Sequence, residues 1–260
     1  MGLDDAYANT AYIPDGESFP PKWAAAAAEF RDKVEGAELD LAYGPEPRQR
    51  LDLFRPQGEA QGLLIFVHGG FWRMLDKSYW SHLAAGALAR GWAVAMPSYT
   101  LCPETSIAGI TREIAKAVSL AAEAVAGPIA LTGHSAGGHL VARMLARGML
   151  PETIAARLSH VMPISPLSDL RPLMQTSMNA DFKLDEAAAV AESPIFMEDR
   201  VDCPVTVWVG GAERPAFLDQ AGWLSDAWGC DLVEAAGKHH FDVVDGLADA
   251  ESEMLARLLG

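Results

Sequence analysis

Leu131-Thr-Gly-His-Ser135-Ala-Gly-Gly-His-Leu140 lies near the middle of a 260-residue chain and contains the pattern G-x-S-x-G, from Gly133 to Gly137. The apolar run Pro128–Thr132 before it suits a strand, and Gly138–Arg147 after it suits a helix. A strand that ends in a sharp turn and passes into a helix lifts the serine at its apex clear of the sheet. Such a turn strains the serine backbone, and a glycine two residues to either side removes the Cβ atoms that would crowd it. Ser135 is therefore the candidate nucleophile. The bare pattern arises by chance in many chains; the strand before and the helix after give it weight.

Outward from the elbow, strands and helices alternate. Ala37–Tyr43 and Gln49–Arg55 carry alternating apolar residues and suit two antiparallel strands joined by Gly44-Pro-Glu-Pro. Gly62–His68 is a continuous apolar run, as expected of a central strand buried on both faces. Trp92–Pro97, Ile129–Thr132, His160–Ile164, Pro204–Val209 and Asp231–Ala236 complete a set of eight. Helices are expected over Trp23–Val34, Ser78–Arg90, Glu104–Ala126, 137–148, Phe217–Trp228 and Val243–Leu259. This alternation predicts an α/β fold, a mostly parallel eight-stranded sheet with helices on both faces. No linker splits the chain, so residues 1–260 read as one domain, with 1–37 as an N-terminal arm and helix. Residues 167–200 break the alternation and read as a lid or pocket wall.

A serine hydroxyl is a poor nucleophile at neutral pH and needs a histidine base held by a carboxylate. In this fold class the order along the chain is nucleophile, acid, base. That order leaves His239 and His240, directly after the last strand, and His240 is favoured because Phe241 can wedge its loop. The acid belongs after the Pro204–Val209 strand. Glu213 stands at that strand's tip, whereas Asp219, the alternative, falls further along on a helix. His68-Gly-Gly-Phe-Trp72 follows the central strand, where backbone donors for an oxyanion are wanted. The N–H groups of Gly70, Phe71 and Ala136 are the candidates, and His68 reads as a buttress of that loop. Trp72, Tyr79 and Tyr99 are the candidate pocket aromatics.

Composition narrows the classes further. Half of the residues are hydrophobic and 21% charged, as in a globular chain. The net charge of −15 disfavours nucleic acid and anionic membrane surfaces as partners. Three scattered cysteines, Cys102, Cys203 and Cys230, offer neither a disulfide framework nor a zinc site, and fit a reducing cytoplasm. The acidic N-terminus lacks the features of a signal peptide, and no apolar run approaches a membrane span. The expected partner is a small-molecule substrate, without metal or organic cofactor; a homodimer is compatible with this reading.

Together, His68-Gly-Gly-Phe-Trp72, Gly133-His-Ser-Ala-Gly-Gly-His139 and His239-His-Phe-Asp242 resemble the α/β-hydrolase superfamily. More narrowly they are similar to its kynurenine formamidase (arylformamidase) branch, akin to the hormone-sensitive-lipase-type esterases. Tyr43–Pro56 is similar to the first hairpin of that group, and tryptophan at position 72 tilts the likeness toward formamidases. The resemblance implies hydrolysis of an aryl formamide such as N-formyl-L-kynurenine, through an acyl-enzyme and without a cofactor. The same machinery suits a short-chain carboxylesterase or thioesterase. In that family the acid is usually aspartate, so Glu213 departs from the pattern. A non-catalytic small-molecule receptor on the same fold would usually have lost the nucleophile or the base, and here all three groups stand in order.

Overall fold

Five consecutive apolar side chains leave Leu63–Val67 without a polar face, and all five are buried in the computed structural model, which describes residues 3–260. This strand is β3. The others are β1 (Ala37–Ala42), β2 (Arg50–Phe54), β4 (Ala93–Pro97), β5 (Ile129–His134), β6 (Leu158–Ile164), β7 (Thr206–Gly210) and β8 (Asp231–Ala235). They form one sheet in the order β1-β2-β4-β3-β5-β6-β7-β8. β2 runs antiparallel to β1 and β4, and the remaining pairs are parallel. The eight expected strands are all present. From β3 the chain steps to one side to make β4, then returns to the other side to make β5. The carboxyl ends of β3 and β5 therefore diverge at a switch point, where sheets of this kind hold their ligands.

Helices α1 (Phe19–Lys33), α2 (Ala85–Ala89), α3 (Ile107–Ala124), α4 (Ala136–Arg143), α5 (Glu152–Ala155), α6 (Asn179–Phe182), α7 (Glu186–Glu192), α8 (Pro215–Trp228) and α9 (Glu253–Leu259) cover the sheet. Because side chains along a strand alternate between faces, β3 feeds two cores. Leu63, Ile65 and Val67 pack with Ile107, Ile110, Ile114 and Val118 of α3 on one face. Leu64 and Phe66 pack with Trp23 of α1 and with Trp80, Leu247 and Leu255 on the other. Burying each such side chain contributes about 1.5–3 kcal/mol before conformational entropy is charged against it.

Two expected helices break up. Ser78–Arg90 becomes two short 3-10 turns, Lys77–Tyr79 and Ser81–Ala84, followed by α2. Val243–Leu259 becomes a 3-10 turn, Asp245–Ala248, and then α9, restarted by Ser252, whose hydroxyl accepts the Leu255 N–H at 3.2 Å. α1 begins earlier than expected, at Phe19, with Pro20 and Pro21 in a first turn that needs no N–H from them.

Residues 167–200 are tied down by apolar packing. Leu167, Leu170 and Leu173 are fully buried, and the Phe182 ring meets Trp72 edge-on at 5.6 Å. The N-terminal arm crosses the carboxyl end of the sheet and is held by burial of Tyr7 in the core and by polar contacts. The Leu3 N–H donates to Gln175 (3.1 Å), and Asp4 accepts from the backbone and hydroxyl of Ser177. Asp5 pairs with Arg214 at 2.9 Å, and Gln220 Nε2 donates to the Tyr7 hydroxyl at 3.0 Å.

Candidate active site

Ser135 ends the turn after β5 with φ 56° and ψ −116°, a conformation that L-residues rarely adopt. Its N–H is anchored by the Ile164 carbonyl at 2.8 Å, so neighbouring β6 helps to hold the strained turn. Close packing explains the glycines. A Cβ on Gly137 would stand 1.9 Å from the Val67 carbonyl oxygen, so only glycine lets α4 start directly against β3. The H-G-G loop after β3 lies equally close: a Cβ on Gly69 would be 3.1 Å from Cβ of Ser135.

That loop is itself unusual. Gly70, Phe71 and Trp72 have φ of 107°, 49° and 55° in succession, and two of them are not glycine. Three contacts hold them there. Trp72 is fully buried, its carbonyl accepts the Cys102 N–H at 2.8 Å, and the Gly70 carbonyl accepts from Arg73 and Met74. Among the described residues the N–H groups of Gly70 and Phe71 have no acceptor. Ala136 occupies the first position of α4, where the helix N-terminus leaves its N–H free and carries partial positive charge. His68 buttresses the loop as expected: its ring stacks on Tyr99 at 4.3 Å, and its Nδ1 lies 2.7 Å from the Gly69 carbonyl. Burial pushes the His68 pKa down to about 4, so it is neutral at pH 7.

His240 and Glu213 meet. His240 Nδ1 donates to Glu213 Oε2 at 2.5 Å, and both side chains are almost wholly buried. The other carboxylate oxygen accepts the Gly210 N–H at 2.9 Å and the Ser165 hydroxyl. With Nδ1 donating, Nε2 of His240 is left as an acceptor. Phe217 and His134 flank the imidazole with ring centroids at 4.2 and 4.5 Å. Asp219 is exposed on α8, away from this pair. His239 shapes the turn: its Nδ1 accepts the N–H groups of Phe241 and Asp242, and its own N–H donates to Asp242. Arg214 does not engage Glu213; it pairs with Asp5 and lies 3.5 Å over the Tyr12 ring.

Ser135, His240, Gly70 and Phe71 all open on to one cavity of about 380 Å³. Among the described residues no hydrogen bond joins the Ser135 hydroxyl to His240; the two groups face the same space. The cavity walls differ from expectation. Trp72 and Tyr99 are fully buried behind the loop, with the Tyr99 hydroxyl donating to the His68 carbonyl at 3.0 Å. Tyr79 packs against the core of the opposite face. None of the three lines the cavity, because each ring is drawn into the support of the H-G-G loop or into the core. The aromatic walls are Tyr7, Trp23, Phe71, Trp80 and Phe241, and Ala8, Asn9, Thr10 and Ala11 of the arm close one side. Residues 167–200 contribute nothing to the lining. Their leucines are consumed by the core, and the wall expected of them is supplied by the arm.

The sequence does not mark Ser165 as a partner of Glu213, nor Trp80 and the arm residues Tyr7–Ala11 as cavity walls. Ser165 had a faint signal, a Ser-Pro pair closing the strand beside the elbow strand. Nothing local to the arm marks it as a wall.

A strained serine at a strand-to-helix turn, a carboxylate-held histidine and free backbone N–H groups, gathered at the carboxyl edge of a parallel sheet, define the α/β-hydrolase class. The chain belongs to this family: it matches the α/β-hydrolase fold over residues 64–220, and it is a hydrolase. It is 25% identical to a kynurenine formamidase of Danio rerio over 85% of this chain and 80% of that protein. A candidate thioesterase from Silicibacter sp. TM1040 has a crystal structure that superposes with a TM-score of 0.99, at 59% identity and full coverage of both chains. Esterase 2 of Thermogutta terrifontis shares the fold at 18% identity, with a TM-score of 0.67 over 87% of this chain and 96% of that one.

Proposed function

We propose that this chain is a serine hydrolase that cleaves a small aryl formamide, of the N-formylkynurenine type, or an aryl ester. The observation that carries the reading is the bond from His240 to buried Glu213, on a histidine that shares one small cavity with the strained Ser135. Ser135 Oγ attacks the carbonyl carbon while His240 Nε2 takes its proton. The oxyanion that forms is met by the N–H groups of Gly70, Phe71 and Ala136, already oriented and free. His240 returns the proton to the leaving nitrogen or oxygen, and a formyl- or acyl-enzyme remains. Water, deprotonated by His240, then releases formate or the carboxylic acid. Glu213 holds the Nδ1–H and stabilises the imidazolium, and Ser165 and Gly210 hold Glu213. The two oxygens of the Glu213 carboxylate divide the work, one accepting from Ser165 and the other from His240. The hydrogen bond between Ser135 and His240 forms when substrate fills the cavity, as commonly happens in enzymes of this kind.

A cavity of about 380 Å³ with five aromatic walls suits an aryl group better than a long acyl chain. The 25% likeness to a kynurenine formamidase over most of both chains supports the formamide. The candidate thioesterase at 59% identity supports a second reading, a thioester of a small acid, which would use the same groups. Ser135→Ala is expected to lower kcat for p-nitrophenyl acetate by roughly ten-thousand-fold or more. Retained turnover by a folded variant would remove Ser135 from the mechanism. Comparing kcat/KM for N-formylkynurenine, phenyl acetate and a small acyl thioester ranks the substrate classes, each tenfold difference being about 1.4 kcal/mol at the transition state.

A further inference from the structure

The cavity beside Ser135 has no aspartate, glutamate, lysine or arginine in its wall among the described residues. The lining is aromatic and aliphatic, with Asn9, Thr10 and the imidazoles of His134 and His240 as its polar members beside Ser135. His134 is neutral, because burial, and then the neighbouring His240, hold its pKa well below the ordinary histidine value. Nearby cations are engaged elsewhere. Arg73 pairs with Asp181 at 2.6 Å, Lys77 with Asp52 and Asp40 at 2.7 Å, and Arg214 with Asp5 at 2.9 Å, while Arg48 donates to the carbonyls of Tyr99 and Leu75 and is not part of the lining. Lys22 lies over the Phe19 ring and is not part of the lining. A carboxylate on the aryl portion would exchange its hydration shell for ring faces that repel negative charge, with no lysine or arginine in the wall to offset the loss, since the free N–H groups of Gly70, Phe71 and Ala136 are taken up by the reacting carbonyl. The chain's net charge of −15 adds a general bias against anions.

We infer that the group this cavity takes is a neutral aromatic one, and that the enzyme discriminates against substrates whose aryl portion bears a carboxylate. The inference rests on the serine-hydrolase reading and narrows its substrate class. It separates N-formylkynurenine, which carries an amino-acid carboxylate, from uncharged aryl formamides and esters.

Two matched pairs test it. N-formylkynurenine and N-(2-acetylphenyl)formamide share the scissile bond and the ortho-acyl ring, and differ in the amino-acid group. 4-Carboxyphenyl acetate and 4-carbamoylphenyl acetate differ in charge at nearly equal size. With each kcat/KM divided by the hydroxide-catalysed rate, the neutral member is expected to lead by about tenfold or more in each pair that is hydrolysed. Met74 lines the cavity at its rim and is 53% exposed, so Met74→Arg places a cation there without disturbing the core. That variant is expected to narrow the gap at least severalfold. Equal rates within the pairs, a lead for the carboxylates, or a gap unmoved by Met74→Arg would overturn the inference and leave Ser135 in place. Loss of every activity, together with failure of a fluorophosphonate probe to label Ser135, would instead overturn the serine-hydrolase reading. Binding to the Ser135→Ala variant then decides the inference independently. Titration calorimetry should find 2-aminoacetophenone bound more tightly than kynurenine, and the reverse order or equality refutes it.

Discussion

The N-terminal arm and residues 167–200 are both irregular and both lie near the carboxyl edge of the sheet, and the wall expected of the second is supplied by the first. The stretch 167–200 looks like a lid, with prolines, methionines and short helical patches. It behaves as core: Leu167, Leu170, Leu173 and Phe182 are buried, and His139 Nε2 lies 2.8 Å from the Glu192 carbonyl. The arm reads in the sequence as an extended segment packed across the domain, and Tyr7–Ala11 close the cavity beside Ser135. Its fastenings are the ion pair of Asp5 with Arg214, the Arg214 guanidinium over Tyr12, and Tyr7 packed edge-on against Phe217 at 5.9 Å. Irregularity marks a segment that is free to be shaped by its neighbours. Which of two such segments becomes a wall depends on where the chain must pass on its way into α1 and between β6 and β7.

If the two regions differ in this way, substitutions in one should act on stability and in the other on substrate binding. The largest effect is expected in the buried segment. Phe182→Ala empties a site against Trp72 and should cost about 3–5 kcal/mol, seen as a lower midpoint in chemical denaturation. The folded fraction should keep its KM. A change in KM without a change in stability would reverse the comparison.

Acid should loosen the buried side next. Burial holds the pKa of His68 down to about 4 and that of His139 to about 3. The unfolded chain takes up these protons near the ordinary value of about 6.5, so stability is intact above that pH and falls as pH drops below it. His68 alone should remove about 3 kcal/mol between pH 6.5 and 4. Unfolding free energies at pH 7 and pH 5 measure the slope; equal values at the two would contradict it.

On the arm, Ala8→Trp should fill the cavity from its open side. KM for phenyl acetate should rise by about tenfold, with the denaturation midpoint nearly unmoved. If binding is indifferent to bulk at position 8, the arm is not the wall. The smallest effect belongs to Arg214→Ala, which releases an ion pair to the exposed Asp5 and a cation–π contact with Tyr12, with little change in the denaturation midpoint. Faster limited proteolysis within residues 3–18 is the readout, and unchanged cleavage would mean that the other fastenings suffice.

Legibility varied along the chain with the physical origin of each signal. The elbow could be read because its glycines answer a contact made within the motif and with the strand beside it. The pairing of Glu213 with His240 could be read because chain order in this fold is set by topology. The role of Ser165 could not, since the Ser-Pro pair marks a strand end and says nothing of a carboxylate 48 residues away. Trp72, Tyr79 and Tyr99 were readable as aromatic but not as inward or outward, and two of them are spent holding up the H-G-G loop or its histidine. The helix expected over Ser78–Arg90 failed for a similar reason: tertiary packing of Trp80 and Leu83 overrode a modest local preference.

By itself the sequence determined the strand-helix alternation, the sheet's mostly parallel character and the identity of the three side chains proposed for catalysis. Each of these follows from local chemistry: periodic apolar residues, glycine where backbone meets backbone, and titratable groups at strand tips. Only the tertiary structure decided the cavity, its uncharged aromatic wall and the segment that closes it. Those depend on contacts between residues far apart in the chain, where burial and mutual packing choose among many side chains of equal local promise.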